Sequence, residues 1–191
     1  FFEAYHAHVS WSGGGRTEQS VVIKRDATPP TIVTASRTPA NAAGWNDTPV
    51  VATFGCSDMT SFVASCPKAV TFAQEGTNLS RTVTASDNAG NTANDTVSHV
   101  NIDLTPPTLT GTPLFQPNAN GWYRTAVPIR WACHDALSGL VACPSDTGVS
   151  GEGAGLVSSL SIHDVAGNVT TATSLPVNID HTPPLTSAAA P

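Results

Sequence analysis

The stretch Asp103-Leu104-Thr105-Pro106-Pro107 decides how this chain is interpreted, because it stands midway between two near-copies of itself. Asp26-Ala27-Thr28-Pro29-Pro30 lies 77 positions before it, and Asp180-His181-Thr182-Pro183-Pro184 lies 77 positions after it. A pattern that returns twice at one spacing predicts an internal repeat of that length.

Further matches occur at the same spacing and concentrate in turns and cysteines. They pair Gly44-Trp45 with Gly121-Trp122, Cys56 with Cys133, Asp58 with Asp135, Cys66-Pro67 with Cys143-Pro144, Glu75-Gly76 with Glu152-Gly153, and Asp87-Asn88-Ala89-Gly90-Asn91 with Asp164-Val165-Ala166-Gly167-Asn168. Shared turns with divergent strands are expected of two copies of one fold. We therefore predict a first copy over 26–102 and a second over 103–179. Residues 1–25 are interpreted as the last strands of a preceding repeat, and residues 180–191 as the start of a following repeat or a tail.

Apolar residues recur at every second position in both copies, whereas no segment has sustained helical periodicity. The rows are Val127, Ile129, Trp131 and Cys133; Val50, Ala52, Phe54 and Cys56; Leu160 and Ile162; and Leu175, Val177 and Ile179. A period of two with one apolar face predicts half-buried strands. About six or seven strands per copy fit an all-β, immunoglobulin-like β-sandwich. A small barrel is the alternative.

The order of these motifs resembles the bacterial immunoglobulin-like repeats of large secreted and cell-surface proteins. The resemblance covers residues 26–184, from Asp-x-Thr-Pro-Pro through Gly-Trp, Glu-Gly and Asp-x-Ala-Gly-Asn to the next Asp-x-Thr-Pro-Pro. It implies an extracellular, multi-repeat module without enzymatic activity. It does not identify a ligand, because one fold carries many functions.

Four cysteines form two pairs, one in each copy, and each pair encloses nine residues. The simplest connectivity is Cys56 with Cys66 and Cys133 with Cys143. The other connectivities would join different copies, and a zinc site is disfavoured because no Cys-x-x-Cys occurs. Disulfides in a chain of this composition predict a secreted or cell-surface location.

Three aspartates in each copy are predicted to meet at one pole of the fold. In an immunoglobulin-like sandwich the chain entry, the loop after the second strand and the last hairpin share a pole. The predicted trios are Asp26, Asp58 and Asp87 in the first copy and Asp103, Asp135 and Asp164 in the second. Converging carboxylates and carbonyls suit calcium, the one cofactor considered for this chain. The alternative is that each aspartate caps backbone amides of its own turn.

Other features of the sequence favour no chemistry. His134 and His163 precede aspartates, but serines occupy the matching positions Ser57 and Ser86, and no catalytic motif is present. A net charge of −6 without a basic cluster argues against nucleic acid, and no apolar run approaches membrane-spanning length. Trp45 and Trp122 are expected to pack locally or against the next Pro-Pro linker, with a sugar-binding platform as the alternative.

These observations predict a non-enzymatic spacer within a large secreted or surface protein, with a possible role in adhesion. Its partners are the neighbouring repeats of the same chain. One alternative is an accessory module of a secreted enzyme that binds carbohydrate or protein. Another is a subunit of an extracellular filament or matrix, in which strands of one chain complete the fold of another.

Overall fold

A computed structural model describes residues 5–6 and 22–185, and none of these residues is helical. Their regular elements are all β-strands, so the predicted all-β class is confirmed for this part of the chain. The same part contains no helix long and apolar enough to cross a membrane. Most of the strands predicted within 1–25, and the end of 180–191, lie outside the described residues.

The chain divides into two compact units. Unit 1 comprises the chain up to residue 39 together with 50–73 and 78–100, and unit 2 comprises 40–49, 74–77 and the chain from 101 onward. Strands β7 (Gly76–Asp87) and β8 (Thr92–Ile102) continue from one unit into the other. The division into repeats at Asp103 stays a prediction.

Unit 1 is organised around two three-stranded sheets, one with the order β3-β4-β6 and one with the order β5-β7-β8, and a separate pair β1-β2. Besides β7 and β8, its strands are β1 (Tyr5–His6), β2 (Val22–Ile23), β3 (Thr31–Arg37), β4 (Val50–Ser57), β5 (Val63–Ser65) and β6 (Val70–Phe72). The first sheet buries Val50, Ala52, Val70 and Phe72, and the second buries Ala85, Val97 and Val100.

Unit 2 has two three-stranded sheets, β12-β11-β9 and β10-β16-β13, and the pair β14-β15. Its strands are β9 (Thr108–Pro113), β10 (Trp122–Tyr123), β11 (Val127–His134), β12 (Thr147–Val149), β13 (Gly153–Leu156), β14 (Ser159–His163), β15 (Val169–Thr173) and β16 (Val177–Ile179). One apolar core draws on all three groups of strands, with Val127, Ile129 and Trp131 from β11, Ile162 from β14, and Val177 and Ile179 from β16. The alternating row predicted for β11 therefore faces this core.

One predicted row differs from the structure, because Leu175 lies outside β16 and is exposed. Its backbone amide donates to the carbonyl of Gly111 in β9, a strand that is not a neighbour of β16 in its sheet. The next residue, Pro176, has no amide hydrogen to continue a ladder. The inward row therefore begins at Val177 rather than at Leu175.

Strand pairings in the first copy recur 77 positions later in the second. Thr34 pairs with Phe54 as Gly111 pairs with Trp131, and Val50 pairs with Phe72 as Val127 pairs with Val149. In the first of these pairs, the larger ring of Trp131 faces the smaller residue Gly111, whereas Phe54 faces Thr34. A Cβ at Gly111 would lie 2.7 Å from Cζ3 of Trp131 and 3.0 Å from the Cα of Ser174. Glycine is therefore required by the space that the indole fills.

Replacing Gly111 with alanine should destabilise the protein by about 1–3 kcal/mol, because both the indole and the Ser174 backbone must move. Gly148→Ala in the same sheet is the matched control, since a Cβ there meets nothing within 4 Å. Urea unfolding followed by tryptophan fluorescence measures both. Equal stability of the two variants would contradict the packing described for Trp131.

Candidate functional site

The six aspartates predicted to converge do so in two separate clusters. Cluster 1 is Asp26, Asp58 and Asp87, and cluster 2 is Asp103, Asp135 and Asp164; in each cluster one carboxylate oxygen from each residue lies within 4.8 Å of the others. Asp87, Asp103 and Asp164 are buried, and the other three are half-buried. Calcium binding at either cluster stays a prediction, but the convergence that it requires is present.

Strand ends position the aspartates of cluster 2. Asp135 directly follows β11 and Asp164 directly follows β14, so each continues the inward row of its strand. Asp103 directly follows β8 and is fully buried. Cluster 1 is built in the same way, with Asp58 after β4 and Asp87 at the end of β7.

Each cluster also contains the backbone hydrogen bonds that the capping interpretation predicts. Asp58 Oδ1 accepts from the amides of Thr60, Ser61 and Phe62, and Asp135 Oδ1 accepts from those of Leu137 and Gly139. These bonds hold the loop after the strand, and they leave the second oxygen of each carboxylate available.

The final asparagine of each Asp-x-Ala-Gly-Asn turn joins the turn to the chain entry. Asn168 Nδ2 donates to Asp164 Oδ2 and to the carbonyl of Asp103, both at 2.8 Å. Asn91 Nδ2 donates to Asp87 Oδ2 at 2.8 Å and to the carbonyl of Asp26 at 3.4 Å. The sequence identifies this asparagine only as part of a repeated turn and does not predict the role of its side chain.

The two clusters differ in how one backbone amide is used. Ser138 N donates to Asp103 Oδ2, whereas the matching amide, Ser61 N, donates to Asp58 Oδ1. As a result, the buried oxygen Asp26 Oδ2 accepts no hydrogen bond from the described residues. A buried carboxylate oxygen without a donor is costly, so a bound cation would stabilise cluster 1 more than cluster 2.

The pKa of Asp87 lies below its ordinary value. Burial raises the pKa of this carboxyl. Hydrogen bonds from the side chain and the backbone amide of Asn91, and from the amides of Ala89 and Gly90, together lower the pKa by more than burial raises it. Asp87 is therefore charged at neutral pH and would act as an anionic ligand without first losing a proton.

The structure contains the two disulfides with the connectivity favoured from the sequence, Cys56–Cys66 and Cys133–Cys143, and no free cysteine among the described residues. Both bonds close a loop directly after the central strand of a sheet, and their Cα atoms are 5.8 Å apart in each case. Disulfides of this kind are typical of proteins in an oxidising compartment.

A pair of glutamates, noted in the sequence only as matching residues, holds the Thr-Pro-Pro segments. Glu75 Oε1 accepts from Leu104 N and Thr105 Oγ1, both at 2.7 Å. Glu152 Oε1 accepts from His181 N at 2.9 Å and from Thr182 Oγ1 at 2.7 Å. We call each arrangement a glutamate clamp.

The two predicted local tryptophans differ in exposure, since Trp45 is half-buried and Trp122 is exposed. An open groove of about 400 Å³ lies near Trp122, and Phe115, Tyr123 and Leu175 line it. Two aromatic side chains, Phe115 and Tyr123, therefore lie at this groove, and neither Trp45 nor Trp122 is among the residues that line it.

Comparisons with protein-family models, with curated proteins and with solved structures find no match to this chain.

Proposed function

We propose that this chain is part of a tandem array of immunoglobulin-like β-sandwich repeats in a secreted or cell-surface protein, where it acts as a structural spacer. The observation that carries the proposal is the glutamate clamp, which occurs twice with the same partners 77 positions apart. A spacer needs each linker to be held in one conformation, because a free linker would let neighbouring modules reorient.

Several features of the Thr-Pro-Pro linker support this role. Pro106 restricts Thr105 to extended conformations, and neither proline can donate a hydrogen bond. The buried Asp103 accepts from Thr105 N at 3.1 Å and from Ser138 N at 2.9 Å. Together with the clamp from Glu75, these bonds fix Asp103, Leu104 and Thr105, the three linker residues that precede the prolines.

The clamp at Glu152 lowers the pKa of that carboxyl. The Thr182 hydroxyl has the largest effect, followed by the His181 amide; burial opposes them by raising the pKa, and the charge of His181 lowers it further. Because the folded pKa lies below the unfolded value, about 4.3, the clamp stabilises the protein above that pH. This contribution is lost as the pH falls through the lower, folded pKa. The clamp is therefore closed at neutral pH.

Replacing Glu75 with alanine should mobilise the linker at 103–107, since two acceptor bonds are lost while the surrounding strands remain. We expect the 15N order parameters of Leu104 and Thr105 to fall from about 0.85 toward 0.6. Glu152→Ala is the matched control, because it removes the same bonds from His181 and Thr182 and should leave 103–107 unchanged. Unaltered order at 104–105 in Glu75→Ala would contradict the role of the clamp in the spacer.

A binding module is the second candidate function, and the groove near Trp122 favours it. Phe115 is 60% exposed and Leu175 is 58% exposed at this groove, with the polar side chain of Asn178 beside them. Small-molecule sites combine apolar and aromatic side chains, here Phe115, Tyr123 and Leu175, with a few polar groups. Titration with oligosaccharides, monitored by NMR at the rings of Phe115 and Tyr123 that line the groove, distinguishes the two functions, since a spacer gives no saturable shift.

A further inference from the structure

Two surface loops, matched 77 positions apart, have the same internal hydrogen bonds. We call residues 41–45 the Asn41 loop and residues 118–122 the Asn118 loop. Asn41 Oδ1 accepts from the amides of Ala43 and Trp45, both at 3.0 Å. Asn118 Oδ1 accepts from the amides of Asn120 and Trp122, again both at 3.0 Å. Because each oxygen is held by two amides, the orientation of each side-chain amide group is fixed.

The nitrogen of Asn41 has a defined use within unit 2. Asn41 Nδ2 donates to the carbonyls of Val165 at 2.8 Å and Ala166 at 3.1 Å. Both carbonyls belong to the Asp164–Asn168 turn. Asp47 Oδ2 also approaches this turn, at 3.4 Å from the position of a Cβ on Gly167. The Asn41 loop is thus seated on an Asp-x-Ala-Gly-Asn turn.

The nitrogen of Asn118 has the same orientation within its loop but no acceptor among the residues that the structure describes. Asn118 and Trp122 are exposed, whereas Trp45 in the seated loop is half-buried. The Asn118 loop therefore presents the two N–H groups of Asn118 Nδ2 at the surface in a fixed orientation. The matching Asn41 loop shows that this orientation fits two successive backbone carbonyls of a turn.

We propose that the Asn118 loop is a docking surface for the Asp-x-Ala-Gly-Asn turn of a following repeat. Asn118 Nδ2 would donate to two successive backbone carbonyls of that turn, as Asn41 Nδ2 does. This inference rests on the proposed tandem array and names the contact that continues it. The partner turn is a recurring structure, because Asn88 N donates to the carbonyl of Phe62 as Val165 N donates to that of Gly139. The contact surface is small, so it needs the high effective concentration that a linker supplies.

The surface around the Asn118 loop carries a positive charge that the surface around the Asn41 loop lacks. Arg124 stands at the position that matches Asp47, and it is exposed. The turn of a following repeat would bring an aspartate-bearing pole toward this guanidinium. Complementary charge at the rim of a contact favours the correct partner and its orientation.

The test uses the whole chain extended by a second copy of residues 103–179 placed after Ile179, with the unextended chain for comparison. The readout is the exchange rate of the Asn118 side-chain amide protons by NMR, with the Asn41 amide as internal reference. In the extended chain we expect Asn118 exchange to slow roughly tenfold, toward that of Asn41. The appended copy should then tumble together with the rest of the molecule.

Two variants of the extended chain separate docking from loop folding. Asn118→Asp keeps the oxygen that accepts from Asn120 and Trp122 but removes the donor, so it should release the appended copy. Asn120→Ala installs the residue found at Ala43 and should leave docking intact. The inference is overturned if Asn118 exchanges equally fast in both chains, or if Asn118→Asp leaves the tumbling of the appended copy unchanged. Neither result would bear on the spacer function, which the Glu75→Ala experiment tests separately.

Discussion

Calcium at about 10 mM should raise the unfolding temperature of the first copy by roughly 10–20 °C. Extracellular calcium modules bind with dissociation constants near 0.1–1 mM, so this concentration reaches about 100 times the tighter value. A ligand at that excess adds about 2.7 kcal/mol to the free energy of unfolding, and each kcal/mol shifts the midpoint of a domain this small by about 4–8 °C. Cluster 1 is expected to respond most, because buried Asp26 Oδ2 accepts no hydrogen bond from the described residues.

Calorimetry with calcium, with magnesium and with a chelator measures this effect. Asp26→Asn should abolish the rise, since it removes a negative charge from cluster 1 while keeping the shape of the side chain. Asp103→Asn is the matched control in cluster 2, where the Ser138 amide already partners the carboxylate, and it should leave the response of the first copy in place. Magnesium should act weakly, because it demands a near-ideal octahedral site. A midpoint unmoved by calcium would leave capping as the sole role of these aspartates.

Much of this architecture was predictable because it depends on residue type and spacing. The alternation of Val127, Ile129 and Trp131 determines which face of β11 is buried, and the same parity carries Asp135 toward the core. The disulfides were predictable because each pair of cysteines encloses one short loop. These features need only the period of a strand and the length of a loop.

The remaining features depend on small displacements that residue patterns do not encode. Ser61 and Ser138 are identical in type and match in position, yet their amides donate to different aspartates. The choice depends on the exact course of a loop that contains Phe62 at a φ of 65° in one copy and Gly139 at a φ of 85° in the other. The glutamate clamps were missed for another reason: a glutamate before a glycine is an ordinary surface residue until its acceptor bonds are located.

The proposed function requires that the chain contain two modules of 77 residues that bear load in series. Single-molecule pulling from the two chain ends tests this claim most directly, because each module should unfold in its own step. Each disulfide bridges two cysteines whose positions differ by ten, so the loop between them does not add to the extension. The oxidised steps should therefore both be about 200 Å long, taking roughly 3.5 Å per released residue and subtracting the folded length.

Reduction should lengthen both steps by the same amount, about 30 Å, because ten extended residues of roughly 3.5 Å each replace the 5.8 Å between the bonded Cα atoms in both loops. It should also lower the unfolding forces, since a disulfide that closes so short a loop stabilises by about 2–3 kcal/mol. The account predicts two nearly equal steps that grow together in reductant. A single step of twice the length, or two steps of clearly different length, would contradict it.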